Sequence, residues 1–422
     1  MKFVLASWGS RGDVEPCAAV GRELLRRGHE VHMAVTPDLV GFVESAGLAA
    51  VAYGPDLQPV LNASSNLWTC FLRSFWRIHD LVRLVREVFA PFVPCWGKMS
   101  TVLTSLADGA DLLLTNVIFE QVAANVAEYY DIPIATLHWF PARANGQLLP
   151  SLPAPLSRIA MTVFWWLCWR TAKKVEDAQR RELGLPKATG PWPRRITERG
   201  SLEIQAYDEA CVPGLAAEWE KFNGQRPFVG ALTMELPTDA DDEVASWIAE
   251  GTPPIFFGFG TVSVESPADA LAMISAACAQ LGERALIGSG RGEFSNIPHS
   301  GHIKVVGAVN FATIFPACRA VVHHGGSGTM AASLRAGVPT LILSTDINQT
   351  LWGLQVKRLK VGTARPFSAT TRETLTSDLR TILSPQYVAR AREIATRMTK
   401  SSESVAIAAD LVESLARSKR AG

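Results

Sequence analysis

The sequence predicts an α/β protein made of two doubly wound domains, and three observations support this. Short β-branched apolar runs alternate with helical stretches along almost all of the 422 residues. Such runs, separated by helices, are typical of parallel sheets that are covered on both faces. The chain is also too long for one ordinary hydrophobic core. The alternation breaks once, at residues 218–242, where polar residues, Gly and Pro gather as in a linker.

Ten strands and a first helix are predicted from this pattern. The predicted helix runs from Glu15 to Arg27, with Pro16 in its first turn and Gly28 at its end. We expect one domain at residues 1–228 and a second at 229–400. The predicted strands are Phe3–Ser7, Glu30–Val35, Ala49–Tyr53, Leu112–Thr115, Ile134–Leu137, Ile255–Phe259, Ala285–Ile287, Ile303–Val306, Ala320–His323 and Thr340–Leu343.

Composition argues against several classes of protein. A net charge of +1 gives no general attraction to nucleic acid, and no motif that reads DNA or RNA is present. The seven cysteines are scattered without paired metal-ligand spacing, which indicates a reduced, cytoplasmic chain. The apolar start is too short for a signal peptide. The most apolar interior segment, residues 159–169, is also far shorter than the roughly 20 residues of a transmembrane helix.

Two polar turns in the second domain point to a phosphate site. The predicted strand that ends at His323 is followed by His-Gly-Gly-Ser-Gly-Thr and a helix. A second strand ends at Gly258-Phe259-Gly260-Thr261, with Ser266 and Pro267 opening the next helix. Helix N-termini attract phosphate through free N–H groups and the helix dipole, so two such turns could hold a diphosphate without a metal. The alternative for each turn is plain chain reversal, and neither matches the P-loop or the dinucleotide fingerprint.

A third turn, Gly9-Ser10-Arg11-Gly12-Asp13, joins the first strand to the first helix. Asp13 could simply cap that helix. It also stands at the carboxyl end of a strand, where ligands of doubly wound sheets bind. Asp13 is therefore also a candidate general base.

These motifs together resemble a known enzyme family. "HHGGSGTMAASLRAGVPTLILSTDINQTLWG" is similar to the nucleotide-sugar signature of inverting glycosyltransferases, and "GSRGDVEP" with "RRGHEV" resembles the acceptor-domain start of glycopeptide-antibiotic and sterol glycosyltransferases. The whole chain most resembles mycobacterial enzymes that glycosylate glycopeptidolipids and phenolic glycolipids of the cell wall. The resemblance is most specific at residues 321–353 and weak at 55–230. It implies the GT-B fold, two facing Rossmann-like domains with a deep interdomain cleft, and a C-terminal helix at 401–422 that returns to the N-terminal domain.

The resemblance also assigns roles to residues. It implies that Asp13 is the general base and that His323 contacts the diphosphate of the donor. It also implies that Gln349 hydrogen-bonds to hydroxyl groups of the donor sugar. It implies a nucleotide sugar as co-substrate, with no other cofactor and no metal. The donor-binding residues that we expect are Ser10, Arg11, Gly12, Thr261, His323, His324, Gly326, Ser327, Gly328, Thr329, Asn348 and Gln349.

Two departures from the family pattern bear on the donor. Asn348 stands where glucosyl-transferring relatives usually have Asp, although an Asn oxygen still accepts a hydrogen bond. Ala308 stands where plant relatives have a tryptophan that stacks on uracil, a residue that enzymes using dTDP sugars often lack. These departures favour a dTDP-linked 6-deoxyhexose, such as rhamnose or 6-deoxytalose, over UDP-glucose.

The distribution of aromatic residues indicates what kind of acceptor the protein binds. Nine of the 12 tryptophans lie before residue 200, in segments that also contain Arg and Lys. Helix packing explains part of this, but basic-aromatic segments also suit contact with anionic lipid. We therefore expect a lipid-bearing acceptor, met peripherally at the inner face of the membrane. His138 and Trp139 follow a predicted strand and are candidate acceptor contacts, and His138 is the second candidate base.

Three alternative functions remain open at this point. The first is a UDP-glucose-dependent glucosyltransferase acting on a sterol or another small hydrophobic acceptor. The second is a nucleotide-sugar 2-epimerase, which should not need an aromatic-rich acceptor domain. The third is a non-catalytic sugar-nucleotide-binding partner of another transferase, which the retention of His323 and Gln349 argues against.

Overall fold

The fold is known from a computed structural model that divides into two compact units. The N-terminal unit contains residues 1–234 and 400–422, and the C-terminal unit contains residues 235–399. The structure describes residues 1–420 except 58–59, 61–62, 64–65, 68–69, 71–73, 75, 150–151, 223, 261–265, 291–293, 295–296, 299–300 and 346.

The N-terminal unit is built around one sheet of six parallel strands. In chain order these are β1 (Lys2–Ser7), β2 (Glu30–Val35), β3 (Ala49–Ala52), β4 (Leu112–Asn116), β5 (Ile134–His138) and β6 (Leu202–Gln205). Their order across the sheet is β3-β2-β1-β4-β5-β6, in which every neighbouring pair is parallel. This is the doubly wound order, and its strand order reverses between β1 and β4.

Helices connect and cover these strands. They are α1 (Arg11–Arg26), α2 (Val40–Ser45), α3 (Ile78–Phe89), α4 (Trp96–Ala107), α5 (Glu120–Tyr129), α6 (Ala154–Glu182), α7 (Trp192–Glu198) and α8 (Leu215–Trp219). Short 3₁₀ turns lie at Pro37–Leu39, Val93–Cys95, Glu209–Cys211 and Glu220–Phe222.

The C-terminal unit repeats the plan. Its strands are β7 (Ile255–Gly258), β8 (Ala285–Gly288), β9 (Ile303–Val306), β10 (Ala320–His323), β11 (Thr340–Ser344) and β12 (Gly362–Pro366). The order across the sheet is β12-β11-β10-β7-β8-β9, again parallel throughout, so the strand order reverses between β7 and β10. The helices are α9 (Asp241–Ala249), α10 (Pro267–Leu281), α11 (Phe311–Ile314), α12 (Ser327–Arg335), α13 (Ile347–Leu359), α14 (Arg372–Ile382) and α15 (Pro385–Ala395), with 3₁₀ turns at Phe315–Ala317 and Phe367–Ala369.

Successive side chains of a strand point to opposite faces of the sheet, and in this unit both faces carry an apolar layer. Phe257 and Val322 pack on one face of the sheet with side chains of α10 and α14. Their neighbours Phe256 and Val321 pack on the other face with α9 and α11. The sheet is thus covered on both sides, which leaves its strand ends as the natural place for polar chemistry.

All ten predicted strands are present, within one or two residues of their expected bounds. The prediction missed β6 and β12, the outermost strands of one side of each sheet. Neither contains an apolar run, because β6 reads Leu-Glu-Ile-Gln and β12 reads Gly-Thr-Ala-Arg-Pro.

The first helix begins at Arg11 rather than at the predicted Glu15. Ser10 is its N-cap and Asp13 is its third residue, and together they form a capping box that starts the helix one turn earlier. Pro16 therefore lies in the second turn instead of the first.

The boundary between the units falls after residue 234 rather than after residue 228. Residues 229–234 stay with the N-terminal unit, where the Val229 N–H bonds to the Gln205 carbonyl and the Met234 N–H bonds to Glu15. The last helix, α16 (Ser401–Arg420), also belongs to this unit and packs on α1. Arg27 and His29 bind its Asp410 and Glu413.

Candidate active site

The turn after β1 depends on a glycine. Gly9 has a φ of +137°, and a Cβ at this position would lie 2.4 Å from Oδ2 of Asp13. Thr36, at the end of the neighbouring β2, fastens the turn because its Oγ1 accepts from the Gly9 N–H and donates to the Gly9 carbonyl. The chain can therefore bend tightly enough to bring Asp13 back over the end of β1.

Asp13 is half-buried and its carboxylate is held in a defined orientation. Its Oδ2 accepts from the Ser10 N–H at 2.6 Å and from the Ser10 hydroxyl at 2.8 Å. The sequence left helix capping and general-base chemistry open for Asp13, and these bonds show the capping role. The same bonds orient the carboxylate at the carboxyl end of β1, beside the point where the strand order reverses.

Ser10 is the N-cap of α1, and Arg11 and Gly12 are the first two residues of the helix. Arg11 is exposed, pairs with Glu15 at 3.1 Å, and lies over the Phe42 ring at 4.7 Å from its centroid. Gly12 is exposed at the same turn. The donor-binding role expected for these three residues remains a prediction.

Asn116 is a residue that the sequence analysis missed. It ends β4, is fully buried, and its Nδ2 donates to Ser7 Oγ at 2.8 Å and to the Trp8 carbonyl at 2.9 Å. The Ser7 hydroxyl in turn donates to the Asp13 carbonyl at 3.0 Å. Asn116 thus holds both ends of the turn that carries Asp13. The available signal was an amide side chain directly after the apolar run of β4.

The structure corrects the expectation for His138. Its side chain is fully buried inside the N-terminal unit, with Nε2 3.0 Å from Thr136 Oγ1 and 3.8 Å from Glu120 Oε2. The reason is that His138 ends an inner strand, and its ring lies beside Glu120 of α5 and the side-chain amide of Gln205 on β6. Burial, with the nearby Arg143 cation, lowers the pKa of His138. It is therefore neither an open acceptor contact nor an accessible base, whereas the following Trp139 is half-exposed.

A buried network of charges explains this environment. Arg143 binds Glu120 through both terminal nitrogens, at 2.6 and 3.1 Å, and binds Glu203 through Nε at 3.0 Å. Arg226 binds the other oxygen of Glu203 at 2.5 Å. Two carboxylates and two guanidinium groups thus neutralise one another in the interior, which is the condition for keeping charges buried.

His323 is the central feature of the C-terminal unit. It ends β10, in register with Gly258 of β7 and Ile342 of β11, and is fully buried. Its Nδ1 accepts a hydrogen bond from the Gly325 N–H at 3.0 Å, so in the neutral ring the proton resides on Nε2. Among the described residues nothing accepts from this Nε2. Burial, with the adjacent His324, lowers the pKa of His323 to about 3, so the ring is a neutral donor.

The His324 ring is enclosed by the two glycine turns. A Cβ at Gly260, whose φ is +62°, would lie 2.6 Å from the ring, and a Cβ at Gly326 would lie 2.7 Å from it. These glycines therefore let the turns after β7 and β10 close around one imidazole. Burial lowers the pKa of His324 to about 4, so it too is neutral near pH 7.

The next helix presents free backbone donors. Gly326 is the N-cap of α12 and has no side chain with which to cap the helix. The first helical bond runs from the Met330 N–H to the Gly326 carbonyl. In the described part of the chain, no partner is recorded for the N–H groups of Ser327, Gly328 and Thr329, which are half-buried. With the helix dipole and the buried His323 donor, they form an arrangement suited to an anion.

Of the residues expected around the donor sugar, the structure describes the side chain of Gln349 but not that of Asn348. Gln349 is buried, and its Oε1 accepts from the Thr345 N–H at 2.7 Å and from the Thr345 hydroxyl at 3.1 Å. Gln349 thus orders the turn after β11. Thr261 and the side chain of Asn348 lie outside the described residues.

Comparison with known proteins decides the family. Residues 3–146 match the glycosyltransferase family 28 N-terminal domain, and residues 266–414 match the C-terminal domain of erythromycin biosynthesis protein CIII-like proteins. An uncharacterized glycosyltransferase of Mycobacterium bovis is 60% identical over 423 residues, covering 100% of both chains. The chain belongs to the glycosyltransferases.

Solved structures show that this glycosyltransferase has the GT-B fold. The glycosyltransferase VinC, in complex with dTDP, superposes with a TM-score of 0.68 over 100% of both chains at 18% identity. The spinosyn rhamnosyltransferase SpnG superposes with a TM-score of 0.68 over 97% of this chain and 100% of its own, at 17% identity. At these identities the likeness concerns the fold.

Two features are absent from the described residues of the glycosyltransferase. No three His, Cys, Asp or Glu side chains among them are grouped as they would be around a metal ion. No helix within the same residues combines the length and apolar character needed to cross a bilayer.

The contacts of Asn116 lead to a prediction for the glycosyltransferase. Asn116→Ala should lower kcat by about 10- to 100-fold, because small displacements of a reacting group are costly. Asn145→Ala is the matched control, since the Asn145 side chain is also a buried amide, and within the described structure it bonds only to the loop at 141–148. Both variants should lose Tm, but only the first should lose kcat. Equal kcat values in the two variants would show that Asn116 does not position Asp13 for the reaction.

The pKa of His323 leads to a prediction about acid stability. An unfolded histidine has a pKa near 6.5, so as the pH falls the unfolded chain takes up this proton before the folded chain does. The stability contributed by neutral His323 is therefore complete above about pH 6.5 and is lost towards pH 3, by up to about 1.4 kcal/mol per pH unit. His323→Asn should make the fall in unfolding free energy between about pH 6 and 4 shallower, as measured by urea titrations. An unchanged slope would mean that folded His323 titrates normally.

Proposed function

We propose that this glycosyltransferase moves a 6-deoxyhexose, rhamnose or 6-deoxytalose, from a dTDP-sugar to a hydroxyl of a lipid-bearing acceptor of the glycopeptidolipid kind. The observation that carries the proposal is the buried Nε2 of His323, which has no hydrogen-bond acceptor among the described residues, beside the start of α12, whose N-cap is Gly326. A buried donor without a partner is costly unless a ligand accepts from it. A diphosphate supplies such an acceptor and also suits the helix N-terminus.

The proposed reaction is a single displacement. The acceptor oxygen attacks C1 of the sugar from the face opposite the diphosphate, so the C1–O bond to the diphosphate breaks as the new bond forms. Asp13 takes the hydroxyl proton, and the anomeric configuration inverts without a glycosyl-enzyme intermediate. The leaving diphosphate gains negative charge, which His323 and the first N–H groups of α12 stabilise without a metal ion.

The choice of dTDP and of a deoxy sugar rests on three supports. Ala308 is exposed and offers no ring for stacking on a base. Asn348 replaces the acid expected for glucose. Among structural neighbours of the same fold, VinC was solved with dTDP and SpnG is named a rhamnosyltransferase.

The choice of acceptor rests on the N-terminal unit and on the relatives. Relatives that share more than half of this sequence come from mycobacteria. Aromatic and basic residues are concentrated in the N-terminal unit, which the resemblance assigns to the acceptor. A lipid-bearing acceptor would be met peripherally at the inner face of the membrane.

The test is an incubation with a panel of nucleotide sugars and a mycobacterial lipid extract. We expect a new glycolipid with dTDP-rhamnose or dTDP-6-deoxytalose, unchanged yield in EDTA, and a rise in Tm with dTDP, since a ligand stabilises the form that binds it. A kinetic preference for UDP-glucose would favour a glucosyltransferase of sterols or other small hydrophobic acceptors. An epimerised nucleotide, or no product with any donor, would contradict sugar transfer.

A further inference from the structure

One helix of the N-terminal unit exposes an apolar stripe. On α6, Leu156 is 51% exposed, Ile159 59%, Val163 39% and Trp166 47%. Their spacing of three, four and three residues places all four on one helical face. At 1.5 Å per residue the stripe is about 15 Å long. Four large apolar side chains in water along one face are unusual for a helix that already has a core to pack against.

The exposure does not come from a poorly packed helix. The opposite face of α6 is buried, with Met161, Phe164 and Cys168 in the core. The helix also packs on α3, α4 and α5. The stripe therefore faces outwards on a firmly held support.

The exposed charged side chains that α6 itself carries beside the stripe are basic. The exposed charged side chains of α6 between residues 154 and 175 are Arg158, Arg170 and Lys174. The first acidic residue of the helix is Glu176, which is buried. Arg158 is paired with Glu218, but Arg170 and Lys174 continue the stripe at its end, and the Arg170 guanidinium lies 5.8 Å from the centroid of the Trp166 ring.

We infer that this stripe, Leu156, Ile159, Val163 and Trp166 with Arg170 and Lys174, is the surface that seats the enzyme on an anionic lipid bilayer. An apolar face bordered by basic residues is how a helix lies in the plane of a membrane interface, and Trp is favoured at that depth. The basic residues complement anionic headgroups. This inference rests on the proposed function, because membrane binding would bring the enzyme to a lipid-bearing acceptor that is held in a bilayer.

The test is co-sedimentation of the full chain with vesicles, without sugar or acceptor. The wild type should bind vesicles of phosphatidylcholine with phosphatidylglycerol, and bind pure phosphatidylcholine and high-salt samples more weakly. Ile159→Glu with Trp166→Glu should weaken binding at least about tenfold, and Arg170→Glu with Lys174→Glu should weaken binding to the anionic vesicles alone.

The matched control carries the same change on other surfaces. Leu25→Glu with Tyr129→Glu replaces an aliphatic and an aromatic residue that are 43% and 48% exposed in the same unit. This variant should bind vesicles more tightly than the stripe variant by the same factor. Equal binding of the two variants would overturn the inference. So would a wild-type dimer that the stripe variant converts to monomer, since the stripe would then bind a second copy.

The outcomes separate this inference from the proposed function. The dTDP-induced rise in Tm should be the same in the stripe variant and in the wild type. Vesicle binding without that rise would reject the donor proposal and keep the surface. The rise without vesicle binding would keep the donor proposal and reject the surface.

Discussion

Asp13→Asn should lower kcat by about 10²–10⁴-fold, the usual contribution of a general base, while dTDP affinity and Tm stay near their wild-type values. The Asn side chain keeps an oxygen that can accept from Ser10, so the start of α1 should survive. What it loses is the ability to take a proton from the acceptor hydroxyl. Single-turnover and steady-state kinetics, dTDP calorimetry and melting of the same protein measure the three quantities.

The control for this change is Asp241→Asn. Asp241 also caps backbone, accepting from the N–H groups of Thr238 and Asn310 at 2.8 Å each. It has no assigned part in the chemistry, so its variant should turn over normally. If Asp13→Asn behaves like this control, Asp13 is only a helix cap. The base must then be another residue, and the burial of His138 argues against His138 in that role.

His323→Ala should weaken dTDP and UDP binding about ten- to a hundredfold, because hydrogen bonds to charged groups contribute roughly 1.5–3 kcal/mol. The effect should be similar for both nucleotides, since the diphosphate is common to them. Calorimetry at fixed pH measures it directly.

A second substitution at this position separates the lost bond from general damage. His323→Gln keeps an N–H donor on a side chain of similar reach and should recover part of the affinity. An unchanged dTDP affinity in the Ala variant would show that His323 does not contact the diphosphate. Equal losses in the Ala and Gln variants would show that the ring matters for packing and not for donation.

The sequence was sufficient for features that one segment determines alone. Apolar runs predicted ten strands, and Ser266 with Pro267 predicted the start of α10. The strands β6 and β12 escaped because edge strands need no continuous apolar run. Within β6, Glu203 is buried only because Arg143 and Arg226 come to it from elsewhere in the chain.

Features that depend on several segments could not be predicted. Nothing local distinguishes Asn116 until β4 lies beside β1 and its amide reaches the Asp13 turn. His138 looked accessible because it follows an apolar run, and only its packing against α5 and β6 shows that it is covered. The glycines of two distant turns become intelligible once Gly260 and Gly326 are seen to enclose His324.

The most direct test of the central claim is a crystal structure of the protein with dTDP. We predict a diphosphate oxygen within about 3.2 Å of His323 Nε2. We also predict that diphosphate oxygens accept from the N–H groups at the start of α12. A diphosphate bound elsewhere, with His323 Nε2 still lacking an acceptor, would contradict this assignment of the site.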